Sequence, residues 1–492
     1  MFESAELGHK IDKATYDEQV PILRNDLLQA QIELLERKKF PVLILISGVD
    51  GAGKGETVNL LNEWMDPRHI QTHAMGEMSD EERDRPPIWR FWRSLPPRGR
   101  IGIFFGSWYT DPIVGRALGS MKSAKFDRAM EEAVRFERML TNEGALLLKF
   151  WFHLSKKQQK KRLKSLEENP RTRWRVAKQE WDNFERYDDF RAVSERTLRA
   201  TSTGEAPWIV VEGYDERYRS LTVGTAILGS VRRRLAEPDH KTQTVEAPPI
   251  LPAIDQVHVL QRLDLSLSIP KKEYSKSLEK AQGKLNLLTR SPEFGKVGVI
   301  AVFEGVDAAG KDGAIRRVTD ALDARHYHVI PIAAPTEEEK AQPYLWRFWR
   351  HIPRKGHFTI FDRSWYGRVL VERVEGFCSE ADWMRAYGEI NDFEEQLSRH
   401  GMVVVKFWLQ ISKDEQLRRF EERKQIEFKQ FKITPEDWRN REKWDLYERA
   451  VCDMVDRTST ELAPWTLIEA NDKCHARLKV LNTLCDRIAA VV

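Results

Sequence analysis

The chain has 492 residues, 41% of them hydrophobic and 32% charged, with ample length to bury sizeable cores. Lys and Arg number 80 and Asp and Glu 76, a net charge of +4 that excludes a basic nucleic-acid protein by composition, though not a local basic patch. No uninterrupted apolar run approaches the ~20 residues of a membrane span, and the opening from Met1 to Lys13 lacks the apolar core of a signal peptide. The four cysteines, Cys378, Cys452, Cys474 and Cys485, show no C-x-x-C spacing, so a reduced, cytoplasmic protein is expected rather than a disulfide scaffold or zinc site.

Val42 to Ser47 is a short apolar run suited to a buried parallel strand. It leads into Gly48-Val49-Asp50-Gly51-Ala52-Gly53-Lys54, which returns with a single change as Gly305-Val306-Asp307-Ala308-Ala309-Gly310-Lys311. The offset is 257, the difference between 305 and 48. The same 257 relates Arg90-Phe91-Trp92-Arg93 to Arg347-Phe348-Trp349-Arg350 and Ser107-Trp108-Tyr109 to Ser364-Trp365-Tyr366. It also relates Lys149-Phe150-Trp151 to Lys406-Phe407-Trp408, and Ala206-Pro207-Trp208 to Ala463-Pro464-Trp465. One constant offset over so many matches marks a tandem duplication of a domain of roughly 230 residues, not a solenoid, whose repeats run at about 20–50 residues. Length alone suggests roughly three domains; the repeat reduces this to a first copy over 1–235 and a second over 257–492. The stretch 236–256, with Pro238, Pro248, Pro249 and Pro252, reads as a semi-rigid linker.

In the second copy Val297 to Phe303, Phe358 to Phe361, Val403 to Trp408 and Trp465 to Ile468 are predicted strands. Ala314 to Leu322, Glu380 to His400 and Lys413 to Gln430 are predicted helices. The alternation implies a doubly wound α/β sheet in each copy.

Gly305-x4-Gly310-Lys311 follows a strand and precedes a helix, the context of a P-loop. Its glycines, with Asp312 and Gly313 just before the predicted helix, let backbone N–H groups converge on phosphate, and Lys311 adds a point charge. A plain chain-reversing turn is the alternative, and it is disfavoured by the double occurrence. The Ser or Thr that normally follows the lysine and holds magnesium is absent: Asp312 stands there, and Gly55 in the first copy. Asp307 and Asp362 are therefore the candidate metal ligands. Asp362 ends the apolar strand Thr359-Ile360-Phe361 as a Walker B carboxylate would; a helix N-cap is the alternative.

Basic residues cluster downstream. Arg363, Arg368 and Arg373 surround Ser364-Trp365-Tyr366, and Arg418, Arg419, Arg423, Lys424, Lys429 and Lys432 lie on or after one helix. Arg419 and Arg423 are four apart and share a face. Spread over a site, guanidinium groups suit a long polyanion, although Glu421, Glu422 and Glu427 would also fit a solvated face. Trp349, Trp408 and Trp465 fall in apolar settings and are expected in the core.

Together, Glu304 to Gly313, Phe361-Asp362-Arg363-Ser364-Trp365-Tyr366 with Arg368, Glu372 and Arg373, and Ala463-Pro464-Trp465 with Asn471-Asp472-Lys473 resemble the second polyphosphate kinase family. The stretch Gln416 to Trp444 is similar to its lid, although the family usually has proline and tryptophan where Glu427 and Phe431 stand. The resemblance spans nearly all of both copies. It implies two tandem P-loop kinase domains, each a parallel β-sheet flanked by helices with a helical lid, and a magnesium-dependent transfer of phosphoryl groups between inorganic polyphosphate and nucleotides. Tandem members resemble polyphosphate:AMP phosphotransferases, so AMP to ADP is the expected conversion. A polyphosphate-dependent ADP or GDP kinase, an ATP-dependent nucleotide kinase and a non-catalytic polyphosphate-binding protein are the alternatives. Neither nucleic acid nor membrane is an expected partner, and a homo-oligomer is left open.

The expected catalytic set is Asp307, Lys311, Asp362, Arg363 and Arg368. Gly305, Gly310, Lys311, Asp312, Gly313, Arg373, Arg419, Arg423, Lys429 and Lys432 are the expected phosphate ligands. Subtracting 257 tests the first copy: Asp50 and Lys54 survive, but Asp362 becomes Phe105, Arg363 Gly106, Arg368 Asp111, Glu372 Gly115 and Arg423 Leu166. Phe cannot ligate a metal and a reversed charge repels phosphate, so the second copy is expected to catalyse and the first not. Arg162, Arg171, Arg173 and Arg175 leave the first copy a polyphosphate-binding or purely structural role.

Overall fold

A computed structural model describes residues 1–237, 259–426 and 435–492. The chain forms two compact units. One comprises Met1–Met78, Arg90–Lys241 and Thr336–Trp346; the other comprises Ser79–Trp89, Thr242–Pro335 and Arg347–Val492. The units follow the repeats except that each includes one short segment from the other repeat. Nearly all of the expected linker lies outside the described residues, as do Lys429 and Lys432.

The first unit holds β1 (Val42–Gly48), β2 (Ile70–Ala74), β3 (Ile101–Phe105), β4 (Leu146–His153) and β5 (Trp208–Glu212) in the spatial order β2-β3-β1-β4-β5. The second holds β6 (Gly298–Gly305), β7 (Tyr327–Pro331), β8 (Phe358–Asp362), β9 (Met402–Gln410) and β10 (Trp465–Glu469) in the order β10-β9-β6-β8-β7. Every pairing is parallel. The central strands are apolar on both faces because both are covered by helices. Val299, Ala301 and Phe303 pack with helices Lys271–Thr289 and Lys473–Ala489, while the alternate residues Ile300 and Val302 are equally buried on the opposite face. The edge strands β2 and β7 escape sequence reading because they are mostly exposed and carry His, Gln and Thr in place of an apolar run.

The predicted helix over Lys413 to Gln430 is shorter than expected. It ends at Gln425, and Ile426 leaves the helical region at its C-cap. The remainder of the predicted span lies outside the described residues.

The repeated Ser-Trp-Tyr and Lys-Phe-Trp motifs meet in a buried ionic knot. Lys406 Nζ donates to Glu394 Oε2 at 2.7 Å, to the Tyr366 hydroxyl at 2.8 Å and to Thr458 O at 2.7 Å. Glu394 Oε1 accepts from Trp365 Nε1 at 3.0 Å and from Tyr366 at 2.6 Å. The first unit repeats the knot with Lys149, Glu137, Trp108 and Tyr109. Burial pushes the Glu394 carboxyl up, and Lys406 opposes that shift. These motifs therefore serve the core. Trp349, Trp408 and Trp465 are buried, as expected.

Candidate active site

The second loop leaves the carboxyl end of β6, where open α/β sheets bind ligands. Gly305 has φ 153°, and a Cβ there would lie 2.5 Å from Leu409 O, so only glycine fits. Gly310, at φ 105°, caps the helix Lys311–Thr319, with Asp312 and Gly313 in its first turn. Lys311 Nζ folds back onto Gly305 O at 2.9 Å. Asp362 ends β8 opposite Phe303 of β6, two residues from Gly305. The register thus brings Asp307, Lys311, Asp362 and Arg363 to one end of adjacent strands.

Two residues here hold conformations that disfavour a side chain. Ala308 and Arg363 both have φ 63°, and the first unit has Gly51 (φ 78°) and Gly106 (φ 86°) at these positions. The left-handed region costs a non-glycine residue about 1–2 kcal/mol. Strain of this kind concentrates at functional sites. Arg363 Nη2 lies 3.4 Å from Asp307 Oδ1. Partial desolvation opposes the charge of the solvent-facing Arg363, but Asp307, Glu304 and Asp362 outweigh it and raise its pKa.

Several residues that motif reading did not assign complete the site. Glu304 is buried and accepts from the Ser364 hydroxyl at 2.8 Å. Burial pushes its carboxyl up, with the neighbouring Asp362 adding to the shift. Asn440 Nδ2 donates to Asp307 Oδ2 at 2.8 Å, and Gln416 Nε2 donates to Asp307 O at 3.1 Å. The Tyr447 hydroxyl lies 3.1 Å from Asn440 Oδ1 and 3.4 Å from Glu375 Oε1. Glu375 is also engaged by Lys443 at 2.9 Å and Arg439 at 3.1 Å. Helices Lys413–Gln425 and Pro435–Glu442 thereby grip the loop through its aspartate. A signal for two of these was present: Gln159 and Asn183 stand at the 257 offset and make the same bonds to Asp50. A cavity beside Asp307 is walled by Leu370, Trp408, Trp444 and Val451 and edged by Glu304 and Arg363.

Not every expected ligand is free to act as one. Arg419 is 3% exposed and all its N–H groups are engaged: Nε by Glu415, Nη1 by Ala308 O and Ala309 O, Nη2 by Ala470 O and Asn471 O. It supports the loop from behind, which corrects its expected role as a phosphate ligand. Arg373 is likewise corrected. It pairs with Asp453 at 2.7 Å, donates to the Tyr387 hydroxyl at 3.0 Å and stacks on Trp383, a packing arrangement. Arg368 pairs with Glu372 at 3.0 Å, and Arg423 lies one helical turn beyond Arg419.

Asp307 and Asp362 offer hard carboxylate oxygens that fit a divalent metal ion. Magnesium is commonly held by one or two carboxylates, with waters and substrate phosphates completing its shell.

The family described as polyphosphate kinase 2 matches residues 10–239 and 268–491. The polyphosphate:AMP phosphotransferase of Pseudomonas aeruginosa is 60% identical over 490 residues, covering 100% of this chain and 99% of that protein. That of Acinetobacter johnsonii is 38% identical over 476 residues, covering 94% and 95%. An ADP-polyphosphate phosphotransferase of Rhizobium meliloti is 38% identical over 221 residues, covering 45% of this chain and 72% of its own. A crystal structure of a polyphosphate kinase 2 from Pseudomonas aeruginosa superposes with a TM-score of 0.90 at 58% identity, over 100% of this chain and 99% of that one. With both repeats matched and the relationship running the full length of the chain, the protein belongs to the polyphosphate kinase 2 family.

Proposed function

We propose that the chain moves a phosphoryl group from inorganic polyphosphate to AMP, giving ADP, and that the second repeat carries the chemistry. The observation that carries this reading is the convergence of Asp307, Lys311, Asp362 and Arg363 at the ends of β6 and β8, in a chain 60% identical to a protein named for that reaction.

Phosphoryl transfer asks a protein mainly for positioning and charge neutralisation. Loop amides and Lys311 hold the phosphates at the transfer point. Asp307, held by Asn440 and Gln416, orients the acceptor phosphate oxygen. Arg363 and Arg368 stabilise charge on the transferred group. The cavity walled by Leu370, Trp408 and Trp444 receives the nucleoside. Asp362 and Asp307 are the residues that would hold magnesium, whose charge offsets that of donor and acceptor phosphates. Helices Lys413–Gln425 and Pro435–Glu442 act as the lid, with Arg423 on the first of them toward the polyphosphate. The first repeat, with Phe105 and Gly106 in place of Asp362 and Arg363, does not catalyse. All four cysteines are free thiols, which supports a reducing, cytoplasmic setting.

The test supplies AMP and magnesium with either polyphosphate or ATP to the wild type, Asp362→Asn and Lys54→Ala. Polyphosphate is expected to yield ADP. Asp362→Asn should lower turnover by roughly 10²–10³-fold, as for loss of one preorganised charge-stabilising group, and Lys54→Ala should leave it intact. ADP from ATP alone would refute the donor. An active Asp362→Asn with an inactive Lys54→Ala would refute the assignment of the copies.

A further inference from the structure

The first loop is not an empty copy of the second. Glu56 is the third residue of helix Lys54–Trp64, where the second repeat has Gly313. Its Oε1 accepts from Arg162 Nη2 and Arg175 Nη1, each at 3.0 Å, and its Oε2 accepts from Arg219 Nη2 at 2.9 Å. The three arginines come from three elements: helix Lys156–Glu168, the turn Arg173–Arg175 and helix Glu216–Ala236.

Arg219 is the informative member. It is 2% exposed, and burial opposes its charge. Its guanidinium lies so close to Gly53 that a Cβ there would sit 2.1 Å from Nη1. Its Nε is buried without an acceptor. A buried cation laid against a phosphate loop, with one donor unmet, is built for an oxyanion with more oxygens than a carboxylate has. The carboxylate is peculiar to this repeat: Gly313 stands in the place of Glu56, and Arg477 lies against it. Arg219 corresponds to Ala476, and Arg162 corresponds to Arg419, which in the second unit turns to the loop carbonyls.

We propose that the first phosphate loop is an oxyanion site masked by Glu56: the carboxylate occupies the place of a phosphate group, and removing it opens the site to inorganic phosphate chains. Competition is between one tethered carboxylate and a free polyanion, and the tether keeps the carboxylate at high local concentration. The ligand class rests on the polyphosphate reading; the existence of the masked site does not.

The probe is inorganic tripolyphosphate, titrated calorimetrically into the full chain carrying Lys311→Ala to silence the second loop. That background should bind none at the first loop. Adding Glu56→Gly, the residue of the second repeat, should create one site per chain, and further adding Arg219→Ala should weaken it at least tenfold. Glu56→Gln retains helix and shape and should show a weaker gain, guarding against misfolding. Glu56→Gly alone should keep wild-type ADP formation, which reports that the chain is folded. The proposal is overturned if neither Glu56 variant gains a site, or if the background already binds tripolyphosphate at the first loop with an affinity that Glu56→Gly leaves unchanged. A gained site in a chain that makes no ADP from polyphosphate would refute the proposed function and leave the masked site standing.

Discussion

Arg363→Gly separates activity from stability because the first should fall steeply while the second hardly changes. Arg363 holds φ 63°, where the first repeat has Gly106 at φ 86°. Substitution relieves about 1–2 kcal/mol of left-handed strain and restores about 0.5–1 kcal/mol of glycine's backbone entropy cost. The contact with Asp307 at 3.4 Å belongs to a side chain that is 55% exposed, and such pairs contribute about 0–1 kcal/mol. The net change in stability is within about 1 kcal/mol of zero, a shift of at most a few degrees in the second unit. Turnover is a different matter. The guanidinium lies among Asp307, Glu304 and Asp362 and faces the site of transfer, so its loss should reduce ADP formation by roughly 10²–10³-fold. Arg363→Lys retains a charge without the bidentate fork and should fall between. Coupled measurement of ADP from AMP and polyphosphate, beside thermal unfolding, reads both quantities. An Arg363→Gly protein that loses several kcal/mol of stability while keeping its turnover would show that the side chain is there for packing, and the reasoning from strain would fail.

Lys406→Ala leaves Glu394 as an unpaired buried charge and should destabilise the second unit by about 3–5 kcal/mol in denaturant titration; a loss under about 1 kcal/mol would refute the ionic knot as a stabilising element. His153 is buried with Nε2 on Glu6 Oε1 at 2.8 Å and with Nδ1 lacking a partner, so a second proton has no acceptor. Burial holds its folded pKa below the ordinary 6.5, which favours the neutral ring in the folded state. Its contribution is intact above pH 6.5 and is lost as pH falls below that value. His153→Gln, the residue found at Gln410 in the second repeat, should flatten this acid-side loss in thermal unfolding at pH 7.5 and 5.5. Asn440→Ala frees the Asp307 carboxylate and should lower kcat roughly tenfold with little change in unfolding temperature; an unchanged kcat would show that this bond does not position the aspartate.

Much of the molecule was legible in one dimension because it is written twice. A constant offset needs no structure, and apolar runs ending in Gly305 and Asp362 identify buried strands whose tips hold the proposed site. The loss of Asp362 and Arg363 from the first copy follows from subtraction alone. What the sequence could not separate was charge from availability. Arg419 and Arg423 look alike on a helix, yet tertiary packing satisfies every donor of Arg419 with loop carbonyls and Glu415. Arg373 is spent on Trp383, Tyr387 and Asp453 in the same way. The edge strands β2 and β7 carried no apolar run to read. Asn440 and Glu56 are ordinary polar residues until the fold brings one within 2.8 Å of Asp307 and sets the other among Arg162, Arg175 and Arg219. The physical reason is one of range: strand burial and loop geometry follow from neighbours along the chain, whereas the partner of a charge is chosen by whichever element the fold brings beside it, as distant in sequence as Ala308 is from Arg419 or Asp453 from Arg373.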